Sequence, residues 1–344
     1  MRHKLLFILL AAGLLFSWGW FYQDSLAHMV TVWSNSKTYE HCFLVLPIAL
    51  WLAYQQRDEV LTSQIQPSPL FASFIVAPAL LWIVGKLFSI AFFEHVAAIV
   101  ALQVVVITLL GKQISQRLWF PIFFLLFAVP FGEELIPYLQ QVTADLAITL
   151  LHISNVPAYR DDLYIYIPTG TFFVAEACSG IRFLISTVTL GFIIAYLQFS
   201  SWWGRLSFIA LATLVPIIAN GIRAWGIVYL GYISDMKVAA GADHLVYGWV
   251  FFSIVTLIVV FAGIVFGRKR SSFHYHDNSK KTASTASASV YLLSLSLFLS
   301  LQFVAAFGYQ QWLQSNADTV QSTLPVASQW LSNVWHHLTY QGQP

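Results

Sequence analysis

Long apolar runs separated by short polar stretches divide the chain into nine candidate membrane crossings. They cover residues 5–21, 42–54, 70–93, 96–111, 118–131, 183–199, 206–221, 245–267 and 290–308. A crossing helix needs about 20 apolar residues, so the second and fifth runs are short and predict tilted or partly re-entrant segments. Between the fifth and sixth runs the pattern changes. Leu135, Leu139, Val142, Leu146 and Leu150 recur at helical spacing and predict an amphipathic helix resting on the outer leaflet. The alternating stretches 163–167 and 171–174 then flank Pro168-Thr169-Gly170, which predicts a tight hairpin.

Composition agrees with this pattern. Hydrophobic residues make up 58% of the 344 and charged residues only 9%, against about 25% charged in soluble domains. The mean hydropathy is +0.71. Because lipid leaves open backbone groups unsatisfied, such a chain is built of helices. The fold class is therefore an all-α polytopic membrane protein, a bundle of about eight or nine transmembrane helices with a small outer-face hairpin. A net charge of +2 gives no footprint for nucleic acid. There is no internal repeat, phosphate loop or Cys/His metal pattern, so no cofactor and no metal is expected.

Basic residues orient the bundle. With the N-terminus cytoplasmic, eleven Lys and Arg fall inside and six at the outer face, in keeping with the positive-inside rule. Arg2 and Lys4 precede the first run as they would in a signal peptide, but Ser17-Trp18-Gly19-Trp20-Phe21 is a poor cleavage site, so the run reads as an anchor. Residues 1–267 then form the main transmembrane domain and 268–289 a cytoplasmic Lys/Ser-rich linker. Residues 290–308 form an extra crossing and 309–344 a periplasmic tail. Within the tail, Val326, Trp330, Val334 and Leu338 predict an amphipathic helix.

Three span ends meet on the outer face. Cys178 opens the sixth run within Ala177-Cys178-Ser179-Gly180-Ile181-Arg182. A helix N-terminus and a neighbouring guanidinium both favour thiolate over thiol, the form that attacks. The seventh run ends in Asn220-Gly221-Ile222-Arg223, which places Asn220 and Arg223 on one face. The eighth begins at His244, with Asp243 before it as an N-cap. A thiol, a guanidinium and an imidazole supply a nucleophile, an oxyanion partner and a proton carrier. Each residue alone has a plainer explanation: a small buried cysteine, a snorkelling arginine, a solvated histidine. The three together at one level point to catalysis.

With these pieces in place, the chain resembles the exosortase/archaeosortase family of membrane-embedded cysteine transpeptidases. The resemblance rests on residues 177–182, Asn220 to Arg223, and His244 followed by Gly248. Weaker similarity covers Tyr39 to Val45 and Pro130 to Gln140, and the whole extends over about 38–266. A histidine in the third motif is similar to the bacterial members. The resemblance implies a bacterial inner-membrane enzyme with its site on the periplasmic face. It implies cleavage of a C-terminal sorting signal with a Pro-Glu-Pro motif on exported, membrane-anchored proteins, in connection with exopolysaccharide or surface-protein export. On that reading Cys178 forms a thioester, Arg223 steadies the oxyanion and His244 moves the proton. Arg182, Asn220 and Ser179 support them.

Alternatives stay open at this level. A transporter or a non-enzymatic scaffold of polysaccharide export would also be a charge-poor bundle, though a transporter places charges near the bilayer midplane. Here only Lys86 stands inside a run. Cys42 also faces outward and could form a disulfide with Cys178, which would exclude a thiolate; the flanking motif favours a free Cys178. Glu133 and Glu134 read as helix-start carboxylates. His274, His276, His336 and His337 lie away from the outer cluster or on a solvated face. The acceptor that resolves a thioester (water, an amine or a glycolipid) and the oligomeric state are not legible.

Overall fold

The computed structural model describes residues 2–63, 65–236 and 244–267, with 293, 296–300, 302–304, 307–309 and 311 beyond them. The predicted tail helix and the linker lie outside the described residues, as do His274, His276, His336 and His337.

The described chain begins with α1 (Arg2–Phe21), α2 (Gln23–Asn35), α3 (Cys42–Gln55) and α4 (Arg57–Leu61). Next come α5 (Pro69–Ala72), α6 (Val76–Phe88), α7 (Ala91–Arg117) and α8 (Trp119–Phe124). The last four are α9 (Ile136–Ile153), α10 (Ile181–Gln198), α11 (Trp202–Ile233) and α12 (His244–Phe266). Among the described residues, five segments are long and apolar enough to cross a membrane: Leu70–Phe88, Ala91–Arg117, Glu176–Gln198, Trp202–Ile233 and Gly248–Phe266. The predicted fifth crossing is a broken one, Trp119–Ala128 and Glu133–Ile153, bent by 66°, which gives up to six. Phe7–Phe21, Cys42–Gln55 and Ser296–Tyr309 are shorter apolar helices at the places of the first, second and ninth predicted crossings.

The chain divides into two compact units. The first draws on residues 1–27, 56–122 and 284–344. In it α1 packs on an alanine-lined face of α7, where Ala97, Ala98 and Ala101 are fully buried beside Leu14. Small side chains let the backbones approach, as membrane helices require. Trp18 Nε1 then reaches Ala98 O at 2.7 Å. Lys86, the one charge inside a predicted run, sits in the last turn of α6 and pairs with Glu94 in the first turn of α7 at 2.7 Å. That places the pair at the ends of two helices.

The second unit, residues 28–55 and 123–283, holds every proposed site residue. Here α9 and α10 pack along α11, and α12 closes on α10 and α11. A three-stranded antiparallel sheet interrupts the helices: β1 (Tyr159–Asp161), β2 (Tyr164–Ile167) and β3 (Gly170–Phe173), in that order. The predicted hairpin is β2–β3, closed by Pro168-Thr169 with Ile167 opposite Gly170; β1 is an addition. Ile165, Ile167 and Val174 turn inward onto Ala144, Ala147, Leu151 and Val228.

Two elements differ in detail from the pattern read in the sequence. The helix 136–153 is packed into the unit against α11. It buries Leu139, Gln140, Thr143, Ala144, Ala147 and Leu151, while Leu135 and Val142 are exposed. Small and polar residues win that face because α11 packs close against it. The seventh run also does not end at Gly221, since α11 continues to Ile233 and is 32 residues long. At 1.5 Å per residue that is about 48 Å, well beyond a bilayer core of about 30 Å. Asn220 and Arg223 therefore stand inside a helix. Its last turns run on past them and carry the sheet, with Phe172 packed against Gly231.

Gly221 lets α11 lie close against Leu146 of α9. A Cβ there would lie 2.5 Å from Leu146 Cβ, so Gly221→Ala should force the two helices apart. Overpacking of this kind costs about 1–3 kcal/mol. The expected result is a lower melting temperature of the detergent-solubilised protein. An unchanged melting temperature in the single variant would show that the helices separate freely.

Candidate functional site

The path into the site is pinned before it arrives. Val174 N–H donates to Leu163 O at 2.9 Å as the chain leaves the hairpin. Gln140 Nε2, buried in α9, donates to Val174 O at 2.7 Å. A single 3-10 turn, Glu176–Cys178, follows, closed by Cys178 N–H to Ala175 O at 2.8 Å. Gly180 then takes φ +79° and α10 begins. Ser179 is buried, and its Oγ accepts a long hydrogen bond of 3.4 Å from Ile181 N–H. Cys178 is half-buried at the mouth of this turn and packs against the apolar cluster that also receives Trp225 and Tyr229 of α11.

Asn220 is the clasp between the turn and α11. It is 2% exposed, and its Nδ2 donates to Cys178 O at 2.7 Å and to Thr143 Oγ1 at 2.9 Å. One side-chain amide thus joins α9, α11 and the backbone of the proposed nucleophile. Gly180 makes room for it. A Cβ there would lie 2.7 Å from Asn220 Cγ, and its positive φ disfavours other residues independently.

Arg223, three residues along the same face, completes the approach. It is close enough to Cys178 for the guanidinium and the sulfur to interact electrostatically. On its other side it lies against the first turns of α12. A Cβ on Gly248 would be 3.4 Å from Arg223 Nη2, and the guanidinium carbon sits 5.7 Å from the centroid of the Phe252 ring. His244 opens α12 one turn before Gly248. Its backbone is therefore one helical turn from the residue that faces Arg223; its side chain, and Asp243, lie outside the described residues. Arg182 is half-buried in the first turn of α10. The structure so brings together Cys178, Ser179, Asn220 and Arg223, with the backbone of His244 adjacent. Gln140, Thr143 and Phe252 were not singled out from the sequence. Each sits in an apolar or amphipathic run with no local signature.

The stretch around Tyr39 packs within the same unit. Tyr39 is buried, and its hydroxyl donates to Phe131 O at 3.1 Å. Burial first, then the Glu133 and Glu134 charges, push this phenol above its ordinary range. The two carboxylates thus have a structural neighbour. His41 is held below its ordinary range by burial, against a contact of 3.1 Å between Nδ1 and Thr38 O. Cys42 is buried, with Sγ donating to Phe127 O at 3.5 Å, and packs with Tyr39, Leu139, Ile181 and Ile185. Both cysteines are free and belong to different apolar clusters, so they form no disulfide. Among the described residues, no three His, Cys, Asp or Glu side chains gather as metal ligands.

Several apolar helices and a thiol–guanidinium site at the start of one of them define a multi-pass helical membrane protein with a candidate covalent centre. Its sequence matches the family model of the transmembrane exosortases over residues 33–261, two thirds of the chain. The chain belongs to the transmembrane exosortase family, whose members are membrane sorting transpeptidases. No curated protein and no solved structure shows significant similarity to it.

Proposed function

We propose that this protein is a cysteine transpeptidase that cleaves a C-terminal sorting signal from exported, membrane-anchored proteins through a thioester on Cys178. The observation that carries the reading is the Asn220 clasp, which holds the Cys178 carbonyl to the helix that carries Arg223 three residues on. The Cys178 thiolate adds to the scissile carbonyl, and the resulting oxyanion lies toward Arg223, whose charge is strongest where water is scarce. Collapse breaks the C–N bond, and His244 gives its proton to the departing amine. The acyl group stays on Cys178 as a thioester. Attack by water, an amine or a glycolipid then releases it and restores the thiol. Arg182 and Ser179 support the turn that carries Cys178. The substrate signal is of the Pro-Glu-Pro type, and the work belongs to exopolysaccharide or surface-protein export.

Such substrates span the membrane themselves, so the site belongs at the periplasmic face of the bacterial inner membrane. On this topology the broken pair and the three shorter apolar helices would cross the membrane together with the five long ones. Residues 1–267 then form the catalytic domain, 268–289 the cytoplasmic linker, 290–308 an added crossing and 309–344 a periplasmic tail.

The chemistry is tested by processing of a co-expressed sorting-signal protein. Cys178→Ala abolishes it while the protein still inserts. Arg223→Lys keeps the charge but loses the planar fork, and so loses most activity. His244→Ala cripples acylation by removing the proton donor. Full processing by Cys178→Ala would end the mechanism, and a neutral His244→Ala would move the proton to another group. Topology is tested by compartment reporters fused after Gly267 and after Gly308, which should report cytoplasm and periplasm respectively. The same compartment from both would remove the added crossing.

A further inference from the structure

A half-buried guanidinium needs compensation, and the commonest source is a carboxylate. Among the described residues no carboxylate forms an ion pair with Arg223. What lies against it is a ring. Phe252 is 1% exposed, and its centroid is 5.7 Å from the guanidinium carbon. Phe183, two residues into α10 from Ile181, stacks on Phe252 with centroids 3.6 Å apart and planes 11° from parallel. Gly248, one turn before Phe252 on α12, leaves the guanidinium free to lie along the helix.

From this arrangement we infer that Phe252, braced by Phe183, is a positioning residue that holds the Arg223 guanidinium beside Cys178 without neutralising it. The inference rests on the proposed role of Arg223 at the thioester site. A carboxylate partner would fix the guanidinium equally well, but it would cancel the charge that a developing oxyanion requires. The negative face of an aromatic ring attracts the cation and leaves its net charge intact. Phe183 belongs to the helix that Cys178 introduces, while Phe252 belongs to α12. The stack therefore ties the position of the cation to the element that carries the thiol.

The test uses the full-length protein in a Cys42→Ser background, so that Cys178 is the one remaining thiol. Anionic and cationic methanethiosulfonate reagents are compared for their rates of reaction with Cys178. A nearby unneutralised cation speeds the anionic reagent, and Arg223→Gln gives the ratio without it. Phe252→Leu is expected to lower the ratio of anionic to cationic rates toward the Arg223→Gln value. Processing should fall with it, roughly two- to thirty-fold, the span of a cation–π contact from exposed to desolvated. Phe252→Trp should retain both. Phenylalanine analogues with one, two and three fluorines at position 252 should lower both readouts in graded steps, since they drain the ring face at nearly constant shape. A ratio unaffected by fluorination or by Phe252→Leu would overturn the inference, leaving Phe252 as packing only. The reagent ratio needs no substrate. If Cys178→Ala processed normally, the transpeptidase reading would fail while the ratio still decided whether the ring holds the cation.

Discussion

The site depends on a single side-chain amide. Asn220 reaches through the space left by Gly180 to bind the carbonyl of Cys178, and the same nitrogen holds Thr143 on α9. Removing that amide would leave two buried acceptors without a donor, each worth about 1–3 kcal/mol of desolvation. Three elements would then lose their common reference. The arrangement explains why glycine stands at the start of α10, where its weak helix propensity would otherwise be a cost. It also explains why a polar residue survives in the middle of a long apolar helix. The clasp fixes the backbone of the nucleophile, and only through it do the distances to α11 and α12 acquire meaning.

Arg223 illustrates the second constraint, which is dielectric. A cation inside a 32-residue apolar helix is tolerable only where its surroundings return part of the lost hydration. Here a ring face and the surface left by Gly248 receive it, and the Cys178 sulfur interacts with it electrostatically. The same charge would be diluted in open water and cancelled beside a carboxylate. A half-dry setting lets one guanidinium act strongly on a charge forming at short range.

Much of this was legible in the sequence, for physical reasons that also mark its limits. Charge-free runs announce crossings because lipid penalises every exception, and the hairpin announced itself through alternation and Pro168-Thr169-Gly170. Cys178, Asn220 and Arg223 stood out because polar groups in apolar surroundings need a reason. Helix α2 was missed, since Gln23, Asp24 and Ser25 open it with a polar turn that resembles a loop. The buried face of α9 was not legible from the leucine stripe alone, because close packing also uses Ala144 and Ala147. The end of α11 was misplaced because Asn220 and Arg223 resemble a boundary, and nothing local reveals that the helix continues as a pillar for the sheet. Phe252 could not be distinguished from its neighbour Phe251. Its role arises from what lies across from it.

The central claim is that Cys178 becomes acylated. It is tested most directly by trapping: the purified protein is incubated with a membrane-anchored substrate, quenched in acid, digested and examined by mass spectrometry. The account predicts a substrate fragment attached to the peptide containing Cys178, with its new bond at the sulfur and released by neutral hydroxylamine as a thioester is. Cleaved substrate with no adduct on Cys178, or an adduct on another residue, would contradict it.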